Sequence, residues 1–229
     1  MPRVGAALRR AVRDLADNAT PLVMANLAWA LVLFVVTVAI ARHPLGLVAL
    51  VLLTLPTAGL TAMANALVRR GHVRLAEFLD GSRRHFGRSL GIGAIQLLLA
   101  ALAAADVLIG AGVPGLPGIV LIVGGGYILV ALWIYACVAW PLLLDPLRGE
   151  VPVTRLLRLA AILVLARPLG AIGIAALMLA ILALGTLLLV PTIAFGAALA
   201  GLVAAHWALP AGDHLEGRAT LEVEVEVED

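Results

Sequence analysis

Apolar runs near or above the ~20 residues that carry an α-helix across a hydrocarbon core alternate along this chain with short arginine-bearing segments. The pattern predicts six spans, at about 21–41, 45–68, 89–109, 119–144, 169–190 and 192–209. Ahead of them, Val4, Leu8, Val12 and Leu15 recur at helical spacing, with Arg3, Arg9, Arg10, Arg13, Asp14 and Asp17 on most of the other face. Residues 1–19 therefore read as an amphipathic interfacial helix. Thr20-Pro21 supplies a helix start, since Thr can cap orphan amides and Pro lacks the N–H that the first turn would leave unpaired. Ala39-Ile40-Ala41 resembles a signal-peptidase site, but the apolar run before it exceeds a signal core, so the segment reads as a retained span.

The punctuation between runs sets the connections. Arg42-His43-Pro44 leaves room only for a tight hairpin between spans one and two. Pro56, near the middle of span two, predicts a kink, with Thr54, Thr57 and Thr61 able to take up freed carbonyls. The segment 69–88 is the most charged internal loop, and Gly110 to Gly118 is an uncharged turn. A second charged loop covers 145–168, in which 156–167 is too short to span and reads as a surface helix. Pro191 marks the last turn, and 210–229 is an acidic tail. Trp140 falls where an aromatic belt is expected. The resulting fold class is all-α, a polytopic transmembrane helical bundle.

Orientation follows from the arginines, because cytoplasmic loops are enriched in basic residues. With the N-terminus inside, Arg42 alone faces out and the other fifteen of the sixteen basic residues face in. Both termini are then cytoplasmic. The expected location is the bacterial cytoplasmic (inner) membrane, as a multi-pass protein.

Composition agrees and removes some chemistries. The chain is 63% hydrophobic and 13% charged, with a mean hydropathy of +1.10, whereas soluble domains carry about a quarter charged residues. A net charge of +2 and a pI near 9.3 do not signal nucleic acid, because the arginines cluster at span ends rather than along an aromatic-studded groove. No lysine is present, which excludes a Walker-type phosphate loop and a Schiff-base enzyme. Cys137, the only cysteine, excludes an internal disulfide and a CxxC zinc site. No cofactor or metal is expected.

Several motifs together resemble the YesL-like family of bacterial integral membrane proteins. They are Asn26-Leu27-Ala28-Trp29, Leu55-Pro56-Thr57-Ala58-Gly59-Leu60-Thr61-Ala62, Glu77-Phe78 through Gly81 to Phe86, Asp106, Trp140-Pro141-Leu142 and the helix before Arg167-Pro168. The resemblance implies a helical membrane fold of undefined molecular function, linked to carbohydrate uptake or polysaccharide use. The acidic tail departs from the pattern. A weaker internal echo pairs Arg70-Gly71-His72-Val73, ending at Arg88-Ser89-Leu90-Gly91, with Arg148-Gly149-Glu150-Val151, ending at Arg167-Pro168-Leu169-Gly170. Same-orientation repeats and chance both account for it.

The chemistry-bearing positions are few. Asp106 is the only acid within an apolar span, and intramembrane carboxylates are candidates for ion or proton coupling because their burial is costly. Its place near the outer end of span three also suits an interfacial structural role. Asn26, Asn65, Gln96, Thr57 and Tyr135 are polar groups suited to interhelical hydrogen bonds or to a polar path. Gly87-Arg88-Ser89-Leu90-Gly91 matches a nucleophile elbow but lacks the strand before it. An intramembrane serine protease would need Ser89 beside His206. Gly124-Gly125-Gly126 suits close helix packing rather than dinucleotide binding. Arg69, Arg70, Arg74, Arg83, Arg84 and Arg88 are candidates for contact with anionic lipid or a partner. The tail from Leu221 to Asp229 alternates apolar and acidic residues; it reads as solvated, or as folded back on the basic loop.

These features lead to a non-enzymatic accessory or regulatory component of solute uptake. Its expected partners are the bilayer and a membrane protein or a second copy. The alternatives are a small secondary transporter or channel and, last, the intramembrane serine protease.

Overall fold

The computed structural model describes residues 3–188 and 195–218. Among these the chain is all-helical, with α1 (Val4–Asp17), α2 (Ala19–Arg42), α3 (Thr54–Arg70), α4 (Leu75–Arg84), α5 (Phe86–Gly112), α6 (Leu116–Leu143), α7 (Val153–Ala166), α8 (Pro168–Leu188) and α9 (Ala197–Leu215). Two 3-10 segments, Pro44–Leu53 and Pro146–Arg148, complete the order. The expected span ends at Val190 and Thr192, the Pro191 turn and the alternating tail lie outside the described residues.

Among the described residues, five helices are long and apolar enough to cross a membrane: Ala19–Arg42, Gly46–Arg70, Phe86–Gly112, Leu116–Leu143 and Pro168–Gly185. The chain is a multi-pass membrane protein by this measure. Its helices also expose what a lipid-facing surface requires, with Leu31, Phe34 and Val35 on α2, Leu98 and Leu108 on α5, and Leu116 and Ile119 on α6 all uncovered by protein.

Arg42 and His43 end α2, and the chain turns back at once: a Cβ on Gly46 would strike the backbone of Ala39. The return run is 3-10 as far as Leu53 and becomes α-helical at Thr54. Pro56 therefore stands in the first turn of an α-helix rather than inside one, where its missing N–H costs little. Thr54, Thr57 and Thr61 give their hydroxyl protons to the carbonyls of Val51, Leu53 and Thr57, at 2.6, 2.7 and 2.8 Å. The helix ends on Gly71, whose φ of 75° is the left-handed cap that favours glycine.

α5 and α6 form an antiparallel hairpin across Val113–Gly115, with small residues along the seam. A Cβ on Gly110 would meet the carbonyl of Gly118, and one on Gly125 the carbonyl of Ala103 at 2.5 Å. Of the Gly124-Gly125-Gly126 run, only the middle residue faces this seam; a Cβ on either neighbour meets open space. The triplet is close packing at one position.

The core sits around α9. This helix packs on α1, α2, α3, α6, α7 and α8, and its residues from Leu202 to Leu209 are all buried. It continues through Pro210 to Leu215, so the first residues of the expected acidic tail belong to a buried helix end. α1 lies against it through Ala7 and Ala11, leaving Arg9, Arg10 and Arg13 exposed. The two charged loops hold α4 and α7, of 10 and 14 residues, one in each of the echoing stretches.

Candidate functional site

Two places in the bundle concentrate polar chemistry. The first is a cavity of about 590 Å³ between α2, α3, α5, α6, α8 and α9. Trp29, Trp133 and Trp140 lie in its wall with Thr54, Thr57, Thr61 and Gln96, and the remainder is aliphatic apart from Cys137. Each indole is tied down: Trp29 Nε1 donates to Thr57 Oγ1 at 3.0 Å, Trp133 Nε1 to the Ala175 carbonyl at 3.0 Å, and Trp140 Nε1 to Gln96 Oε1 at 3.0 Å. The last bond fixes which way the Gln96 amide points. Its Nε2 is left buried without a partner.

The other polar residues of the spans lie elsewhere. Asn26 is fully buried and its Oδ1 accepts the Ala198 N–H at 2.9 Å, which satisfies one of the orphan donors at the start of α9. Asn65 donates to the Pro141 carbonyl at 2.8 Å, while its Oδ1 is buried and unpaired. It thus grips α6 where proline interrupts the ladder. Tyr135 donates to the Leu157 carbonyl at 3.0 Å, joining α6 to α7. Asp106 is half-buried beside Gly125 at the α5–α6 seam, has no hydrogen-bond partner among the described residues, and does not line the cavity. The cavity therefore reaches Thr57 and Gln96 but not Asp106, Asn26 or Asn65.

The second place is a charge cluster where α3, α6 and α9 end. Arg69 reaches Asp145 and Asp213, each at 2.6 Å. Arg148, entirely buried, bonds Asp145, then Asp213 at 2.7 Å and Glu216 at 2.9 Å. Arg218 adds a bond to Glu216 at 3.2 Å. Three arginines thus face three carboxylates. Buried pairs of this kind contribute little net stability when whole, but breaking one leaves an uncompensated charge. Burial alone would raise the Asp213 carboxyl, but hydrogen bonds and charge from Arg69 and Arg148 hold it below its ordinary value. Asp145 also caps the 3-10 turn by accepting the Leu147 N–H at 3.2 Å.

This geometry divides the basic residues of the 69–88 segment. Arg69 is internal. Arg88 donates to the carbonyls of Leu143 and Gly149, at 3.2 and 3.5 Å, covering the open end of α6. Arg70 pairs with Glu77 at 2.7 Å, beside a polar cleft of about 280 Å³ that also includes Asp80, Arg84 and His85. Burial, helped by the charges of Arg88 and Arg84, lowers the His85 pKa. Arg74, Arg83 and Arg84 are exposed.

His206 and Ser89 are engaged separately. His206 Nε2 lies 2.7 Å from an Asp14 carboxylate oxygen, linking α9 to α1. Ser89 gives its proton to the Phe86 carbonyl at 3.1 Å in its own first turn. Sequence reasoning missed Arg148, Asp145 and Asp213 as a unit, since the spacings of 76 and 144 residues from Arg69 carry no local signal. It also missed the cavity, whose three tryptophans come from two helices, Trp29 from α2 and Trp133 and Trp140 from α6.

No protein family, curated protein or solved structure matches the chain.

Proposed function

We propose that this chain is a six-span protein of the bacterial cytoplasmic membrane, with both ends in the cytoplasm, serving as a non-enzymatic accessory or regulatory component of solute uptake. α9 is the sixth span in this reading. The observation that carries it is the gathering of the ends of α3, α6 and α9 and the start of α5 into one face, through Arg69, Asp145, Asp213 and the Arg88 bonds. Three helices ending where a fourth begins suit an even number of crossings, and the arginine-rich side is the cytoplasmic one by the positive-inside rule.

The same face supports a binding role. Its internal arginines hold the helices together, and Arg74, Arg83 and Arg84 are left pointing outward with Arg3, Arg9, Arg10 and Arg13 of α1. Such a surface attracts anionic lipid at about 1 kcal/mol per basic residue near the membrane, or an acidic partner. The link to carbohydrate uptake comes from the YesL-like motifs. A transporter or channel draws support from the cavity alone, which lacks charged lining residues and stops short of Asp106.

The test is uptake of radiolabelled sugars by a host deleted for this gene and complemented with wild type or with an Arg74→Glu/Arg83→Glu/Arg84→Glu triple variant. Deletion is expected to slow uptake of at least one sugar several-fold, with the triple variant present in the membrane but failing to restore it. Unchanged uptake of every sugar after deletion would reject the reading.

A further inference from the structure

We infer that the cavity between the spans is a binding site for an uncharged, bilayer-soluble hydrophobic molecule carrying a carbonyl group, held by the side-chain amide of Gln96. The inference is independent of the accessory role above.

Size and lining set the class. A volume of about 590 Å³ lies within the ~300–1,000 Å³ of small-molecule sites, which are mostly apolar with a few placed polar groups. Among the described residues no arginine, histidine, aspartate or glutamate lines it, so a charged ligand would lose its hydration without compensation.

The hydrogen-bond inventory then selects the functional group. The hydroxyl protons of Thr54, Thr57 and Thr61 are spent on helix carbonyls. The three indole N–H groups are spent on Thr57, Ala175 and Gln96. Apart from the weak thiol of Cys137, one side-chain donor remains among the described residues of the wall: Gln96 Nε2, buried and unpartnered. A buried amide N–H without an acceptor forfeits the hydrogen bonds it makes in water, so a ligand that supplies an acceptor there is favoured over one that does not. Trp140 holds the Gln96 oxygen, so the amide cannot turn over to present an acceptor instead.

Depth excludes a phospholipid. Gln96 is seven residues beyond Ser89, where the expected span begins, about 10 Å along a helix rising 1.5 Å per residue, which is inside the hydrocarbon core rather than at its boundary. Ester carbonyls of phospholipids stay at the headgroup boundary. The acceptor must belong to a molecule that dissolves wholly within the bilayer.

The test uses the full chain in detergent micelles and two probes of equal length, 12-bromododecan-2-one and 1-bromododecane, whose bromine quenches the tryptophans lining the cavity. Saturable quenching is expected, with the ketone binding about three- to tenfold more tightly, the range of one neutral hydrogen bond. Gln96→Leu combined with Trp140→Phe, which removes the amide without freeing the Trp140 indole N–H, should erase that preference while the bromoalkane binds as before. Ala136→Phe, which puts an aromatic ring into the cavity and keeps Gln96, should weaken saturable binding of both probes several-fold and carries the test should the Gln96 variant fail to fold. Equal affinity of the two probes, quenching that rises without saturation, or a preference that survives the Gln96→Leu/Trp140→Phe double change would each overturn the assignment. So would displacement of the ketone by a tail-brominated phosphatidylcholine, which would make the occupant ordinary bilayer lipid.

Discussion

The α5–α6 hairpin and α9 are built on opposite plans. α6 is among the most apolar helices of the chain, yet only 6% of its best spanning window is buried by protein, whereas α9 carries His206, Pro210, Asp213 and His214 and is buried almost throughout. In water the apolar helix would be at the centre. In a bilayer the hydrocarbon is as good a solvent for leucine as the protein interior, so polar groups are what must be covered and satisfied inside. Hydropathy thus finds the helices that face lipid and underrates the one that organises the bundle.

The contrast makes graded predictions. Arg148→Ala should be the most damaging single change, costing about 3–5 kcal/mol by leaving Arg69 alone to offset the two buried carboxylates of Asp145 and Asp213. Thermal unfolding in detergent would read it, and a variant as stable as wild type would show that the cluster does not hold the helix ends. Next, Leu202→Ala in α9 should cost about 2–5 kcal/mol as a core cavity, while Leu98→Ala on α5, 60% exposed, should stay within about 0.5 kcal/mol. Equal losses at the two sites would break the comparison.

The hairpin itself is sensitive at one glycine. Gly125→Ala should cost about 1–3 kcal/mol, as overpacking does, because the new methyl meets the Ala103 backbone. Gly124→Ala meets nothing and should be neutral or stabilising by up to about 1 kcal/mol. A reversed ranking in a melting assay would place the seam wrongly.

Acidification gives the smallest effect. Asp213 has a lowered pKa in the folded protein, so its contribution is present above the ordinary carboxylate range and is lost as pH falls through the lowered folded value. Melting temperature should therefore drop on acidification less steeply in Asp213→Asn than in wild type. Parallel curves would remove Asp213 from the account.

The runs of apolar residues made the five lipid-facing helices and their short connections legible, because a spanning helix must be apolar over a fixed length. α1 was equally plain from its alternation of arginine with Val4, Leu8, Val12 and Leu15. What could not be read was pairing over distance. Arg69 belongs to a basic loop by sequence and to Asp145 and Asp213 by fold, and nothing local distinguishes it from Arg74, which stays exposed. Gln96 was visible as a polar residue in a span. Its unpaired N–H depends on Trp140, 44 residues away, and only the packing of α5 on α6 brings them together. Pro56 was legible as an interruption, but whether it kinks an α-helix or begins one depends on the 3-10 geometry before Thr54.

In the proposed topology α9 is a sixth span that returns the chain to the face where α3 and α6 end. Single cysteines at His43→Cys, Arg84→Cys and Arg218→Cys in a Cys137→Ala background, probed in spheroplasts with a membrane-impermeant maleimide, test it directly. Six spans with both ends inside give labelling of His43→Cys alone until the membrane is permeabilised. Labelling of Arg218→Cys from outside while Arg84→Cys stays protected would contradict it.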